Sequence, residues 1–130
     1  MPINHLVSLM FIHLIFDWLL QDRQTAVNKS KSLRYLFPHL FILYIGLMLW
    51  GVFIVEFTHR QSFLFSLSNC LLHGVIDWYI YKVYAYTVFK RYDNVSIDFR
   101  YYEDRWFYNF IAFDQMLHGL CYIGLYSLLK

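Results

Sequence analysis

Four long apolar stretches, at about residues 3–21, 35–57, 62–88 and 106–129, constrain this chain more than any other feature. A helix needs about 20 residues to cross the hydrocarbon of a bilayer. Lipid offers the backbone no hydrogen-bond partners, so a spanning stretch of that length is satisfied as helix. The expectation is therefore an all-α fold: a four-helix transmembrane bundle, up-down-up-down, with both termini on the same side. It forms one integral membrane domain over residues 1–130. Composition agrees, since 15% of the residues are charged and 59% are hydrophobic, against about 25% charged in a soluble domain. Pro38 falls in the first turn of the second stretch, where its missing N–H costs little. Cys70 and Cys121 lie in apolar runs without CxxC spacing and read as reduced thiols. The N-terminus lacks the basic region and cleavage site of a signal peptide.

The cations set an orientation. Arg23, Lys29, Lys31, Arg34, Lys90, Arg91, Arg100 and Arg105 lie in or at the edges of the two polar stretches, about 22–34 and 89–105. Arg60 and Lys130 stand on the opposite side. The positive-inside rule puts the two polar stretches in the cytoplasm and both termini outside. The implied location is a bacterial inner membrane, crossed several times. Tyr35, Tyr92, Tyr101, Tyr102 and Trp106 suit an interfacial aromatic belt on the cytoplasmic side.

Ionisable residues inside such stretches are costly, so those present invite a functional reading. His13 and Asp17 are four residues apart, on one face of a helix. His73 and Asp77 repeat the pair, and Asp114 and His118 give it reversed. Because the fourth helix runs against the first and third, the reversal puts all three histidines in one layer and all three aspartates in another. His39 lies near the aspartate layer. Three such matches by chance are on the order of one in a thousand for a chain with this many histidines. Imidazole nitrogen with carboxylate oxygen is a ligand set for zinc, or for manganese or iron. The candidate metal ligands are His13, Asp17, His39, His73, Asp77, Asp114 and His118, enough for one or two ions. Gln21 and Asn69 extend the same faces and are placed to orient those ligands. Gly74, Gly119 and Gly124 read as sites of close helix approach.

The run from His13 through Asp17 and Gln21 to Asn28-Lys29-Ser30 and His39, with His73 and Asp77 later, resembles a known pattern. It is that of small bacterial and phage integral membrane proteins grouped as domain-of-unknown-function family 3307. More distantly, the HxxxD pairs are similar to those of membrane-bound predicted metal-dependent hydrolases of the zinc phospholipase C and P1 nuclease type. The chain lacks the N-terminal tryptophan ligand and the HxxxE pair of the soluble enzymes. This likeness implies attack by metal-activated water on a phosphoester.

The resulting expectation is a membrane-embedded metal-dependent hydrolase acting on a phospholipid or lipid-linked phosphoester near the cytoplasmic leaflet. Asp17, Asp77 and Asp114 are its candidate catalytic carboxylates. Lys29 or Arg23, where the first polar stretch leaves the membrane, is placed to hold the substrate phosphate as a point charge. Membrane lipid is the expected partner, with no nucleic acid, and a homo-oligomer or a membrane partner protein completes the partner set. One alternative is a non-catalytic protein whose metal or polar layer fixes the bundle for a partner. Another is a small ion or proton pathway.

Overall fold

Polar residues at the right places divide the chain into its helices. The computed structural model describes residues 1–91 and 104–130, without the side chains of Trp18, Arg23, Ala26, Val27, Phe89 and Arg91. The expected polar stretch 89–105 therefore lies largely outside the described residues. The described residues are helical, with no strand.

Helix α1 spans Ile3–Leu14 and runs directly into a π-helical turn, Ile15–Leu19. The Leu20 amide closes that turn on the Ile15 carbonyl at 2.9 Å. Inside the stretch expected to be loop lies a short helix α2, Arg23–Asn28. Asp22 caps it by accepting a bond from the Thr25 amide at 2.6 Å, which satisfies a donor that a helix N-terminus otherwise leaves open. Helix α3 is Leu33–Phe53, which begins two residues earlier than expected, so Pro38 falls in its second turn and removes the donor to the Arg34 carbonyl. The chain reverses at Glu56, whose φ of 58° is left-handed. Helix α4, His59–Arg91, has 33 residues and is about 50 Å long at 1.5 Å per residue. Helix α5 is Arg105–Leu129, capped by Asp104.

Helix α3 packs on α4 and α4 on α5, while α1 leans on α3. The close approaches are made by other glycines than two of those expected. A Cβ at Gly46 would lie 2.8 Å from the Phe16 ring, and one at Gly51 would lie 2.9 Å from Ser62 Oγ. Gly74 faces Leu40 at 2.8 Å, but Gly119 and Gly124 have open space beside them.

Large apolar residues lie on the outside of the bundle and ionisable ones in its interior. Phe37, Phe41, Leu49 and Phe53 of α3 are exposed, as are Leu71, Val75, Tyr79 and Val83 of α4. Asp17, Lys29, His39, His73, Asp77, Asp114 and His118 are buried. Two described segments, Leu33–Phe53 and His59–Val88, are long and apolar enough to cross a membrane. The π turn cuts α1 short, and Asn109, Asp114, Gln115 and His118 dilute α5. An apolar cluster of Leu9, Leu43, Leu47, Trp50, Phe57, Phe65, Tyr122 and Tyr126 fills one half of the interior. The ionisable residues fill the other half.

Candidate metal centre

Two carboxylate oxygens sit at the middle of the polar half. Asp17 Oδ1 comes from the π turn and Asp77 Oδ2 from α4. His39 Nε2, from α3, lies 3.1 Å from the first and 3.3 Å from the second. His73 Nε2, one turn before Asp77, lies 3.6 Å from the first and 3.1 Å from the second. The two imidazole nitrogens are 3.0 Å apart. All four donor groups are buried and within 4.8 Å of one another.

Proton counting favours a cation at this point. A neutral imidazole carries one N–H, and the Nε2 of each histidine faces both carboxylate oxygens and the other Nε2. If both nitrogens donate to carboxylates, two N–H groups oppose each other at hydrogen-bond distance. If one donates to the other, the acceptor nitrogen is left facing two anionic oxygens. These four donor atoms, two nitrogens and two oxygens, could hold a divalent ion.

The π turn explains how Asp17 reaches this point. An extra residue per turn rotates the segment after Leu14 relative to α1, and π turns recur at functional sites for that reason. Asp17 consequently faces α3 and α4. His13, ahead of the turn, faces α5 instead. Its Nδ1 lies 2.9 Å from the Tyr122 hydroxyl and its Nε2 lies 3.1 Å from Gln115 Oε1. Gln115 Nε2 donates in turn to Asp114 Oδ2 at 3.2 Å. Because Gln115 offers an oxygen, His13 donates from Nε2 and accepts from Tyr122. His13 therefore stands beside the four-donor group, its Nε2 3.7 Å from Asp17 Oδ2.

Lys29 is the largest departure from a loop-side reading. Helix α2 turns it inward until it is 5% exposed. Its Nζ lies 3.0 Å from both Asp17 Oδ1 and Asp77 Oδ2. Burial opposes its charge, but Asp77 and Asp17 outweigh burial and hold the ammonium above the ordinary lysine range. Arg23 was expected to share the phosphate role, and its side chain lies outside the described residues.

Asp114 and His118 of α5 complete the polar half. They form a second close group with Asp77. The His118 ring lies over His73, with centroids 3.9 Å apart. A partly open cavity of about 220 Å³ adjoins the cluster, lined by Asp17, Gln21, Lys29, Tyr81, Asp114 and Gln115 among others. Gln21 thus reaches the site, with its buried Nε2 unpartnered. Asn69 donates to the Phe65 carbonyl at 2.8 Å, within its own helix. The sequence reading missed Tyr122, Gln115 and Tyr81. Tyr122 was within reach of it, since it follows His118 by four residues and shares its face.

Residues 5–130 match the model of a family described as "Protein of unknown function (DUF3307)". No curated protein and no solved structure matches the chain.

Proposed function

The chain belongs to the DUF3307 family, and from that premise we propose that it is a membrane-embedded, metal-dependent hydrolase of phosphoesters. One observation carries the metal reading. Asp17 Oδ1, His39 Nε2, His73 Nε2 and Asp77 Oδ2 are separated by 3.0, 3.1, 3.1, 3.3 and 3.6 Å along five of the six edges that join them. A regular tetrahedron with ligand bonds of about 2.0–2.1 Å has edges of about 3.3–3.4 Å. A buried zinc ion, or manganese or iron in a similar donor set, suits these dimensions.

Charge supports the same reading. Asp17, Asp77 and Asp114 bring three negative charges, Lys29 brings one positive, and neutral imidazoles bring none. The balance of minus two is what one divalent cation cancels, in a place where an uncompensated charge is costly. A cation held there would lower the pKa of a coordinated water toward neutrality and so supply a nucleophile.

The chain's own groups then divide the work. His39, His73, Asp17 and Asp77 would hold the ion. Lys29 bridges the two ligand carboxylates and fixes their direction. Asp114, in the cavity wall, would add a carboxylate beside the ion. Gln21, Tyr81 and Gln115 offer the cavity polar contacts for a phosphoryl group. Zinc phospholipase C-type enzymes remain an analogy for the chemistry.

The exposed apolar exterior supports four membrane crossings, with α1 and α5 beside the two helices of spanning length. The basic residues of the 22–34 stretch then mark the cytoplasmic side, where the cavity lies, and a lipid phosphate at that leaflet is the natural substrate. The apolar cluster around Trp50 closes the interior beyond the site. This arrangement favours a one-ended pocket over a conducting path.

A second reading has its own observation. The contacts of Lys29 with both carboxylates balance much of the charge without any metal and suit a structural polar layer. Metal analysis of detergent-purified full-length protein decides between them. Zinc, manganese or iron near one equivalent or more, with turnover of an aryl phosphate or of phosphatidic acid vesicles lost in Asp77→Asn, is the expected result. Chelator-insensitive stability and no bound metal sink the hydrolase.

A further inference from the structure

We propose that the site is dinuclear, with Asp77 bridging the tetrahedral position to a second divalent cation held by Asp114 and His118. The inference rests on the metal reading above and extends it.

Asp77 is the hinge of the argument. It belongs to both close groups: with Asp17, His39 and His73 on one side, and with Asp114 and His118 on the other. It is fully buried. Neither of its oxygens has a hydrogen-bond partner: Oδ2 faces the first group in ion-pair contacts with Lys29, His39 and His73, and Oδ1 has no contact of that kind. A carboxylate with one oxygen among the first four donors and the other left over is the arrangement that a bridging ligand needs.

The second group is itself unsatisfied. His118 is 1% exposed, and neither of its ring nitrogens has a partner. Asp114 Oδ2 accepts from Gln115, but its Oδ1 has none. Buried polar groups almost always find partners, and each orphan costs about 1–3 kcal/mol. One ion held by Asp77 Oδ1, Asp114 Oδ1 and a single ring nitrogen of His118 would partner three of these atoms at once. His118 Nδ1 and Asp114 Oδ1 are 3.8 Å apart, too far to share a proton. Two donors on one cation at about 2.1 Å each can stand up to about 4.2 Å apart, so an ion bridges this gap.

The second position adjoins the cavity, because Asp114 lines it. The formal charge of the cluster is minus two before metal, zero with one ion and plus two with both. That surplus faces the cavity and selects an anion, as a phosphoester is. A two-metal site of this kind stabilises both the attacking and the leaving oxygen of a displacement.

Manganese titration of the full-length, chelator-treated protein in detergent tests this, read by metal analysis and electron paramagnetic resonance. Wild type is expected to take up two ions per chain and to give an exchange-coupled spectrum. His118→Ala, and Asp114→Asn as a smaller change, are each expected to take up one ion with an isolated six-line signal. One ion per chain in wild type, with an isolated signal, overturns the second position and leaves the tetrahedral one standing. Variants that still bind two coupled ions overturn it as well. No bound manganese, and no zinc in a parallel titration, overturns both.

Discussion

His39 Nε2 and His73 Nε2 lie 3.0 Å apart in the middle of the bundle, brought from helices α3 and α4 across 34 residues of chain. Each is at the same time within 3.6 Å of the same two carboxylate oxygens. Four donor atoms gathered this closely could hold an ion among them.

His39→Ala and His73→Ala should therefore each weaken zinc binding by more than the roughly 10–100-fold that follows loss of an outer partner. His39→Cys, which restores a zinc ligand, should recover part of it. In wild type, zinc at 100 times its dissociation constant should add about 2.7 kcal/mol of stability, seen as a raised Tm. Equal Tm with and without zinc rejects the site.

Lys29→Met tests the ammonium between Asp17 and Asp77. Removing one partner of a buried pair leaves two like charges facing each other and costs about 3–5 kcal/mol. The loss is expected in metal-free protein and should shrink when zinc is added. A metal-free variant as stable as wild type shows that the lysine does not hold α2 against the bundle.

Gly51→Val separates packing from chemistry. The added Cβ meets Ser62 Oγ at 2.9 Å and the Ser62 Cα at 3.4 Å, in the apolar half. Overpacking of this kind costs about 1–3 kcal/mol. Thermal unfolding should come earlier while metal stoichiometry stays at the wild-type value. Lost metal in a folded Gly51→Val protein contradicts the division of the interior into two halves.

Asp22→Ala removes the cap of α2. The bond from Thr25 holds Asp22 below the ordinary carboxylate range. A lowered folded-state value means that the stabilisation is present above the unfolded value and is lost as pH falls through the lowered one. Hydrogen exchange at the Thr25 amide should quicken in Asp22→Ala at neutral pH, and in wild type only in acid. Asp22→Asn should remain slow at both.

Phe41, 64% exposed near the middle of α3, is expected to face lipid. A lysine in its place carries an insertion penalty of about 2.5–3.5 kcal/mol. Phe41→Lys should fall out of the membrane fraction or be degraded, and reporter fusions after Lys130 and Lys31 should lie on opposite sides. Both reporters on one side refute the four-crossing topology.

The sequence by itself determined the helices, their order and most of the cluster. Spacing of four paired His73 with Asp77 and Asp114 with His118 because both pairs lie in uninterrupted α-helix, where that spacing is one face. His39 followed from its place at the start of the next helix. His13 and Asp17 also stay within 3.7 Å of each other, but the π turn that begins between them cannot be seen in periodicity. It sent Asp17 to α3 and α4 and left His13 to Tyr122 and Gln115. Lys29 was equally hidden: in the chain it is one more basic residue of a polar stretch. Only the tertiary structure turns it inward, because two buried carboxylates from the π turn and α4 meet there and need a positive charge. Local pattern specifies which residues share a face. Which faces meet, and which charges must balance, is decided where the helices come together.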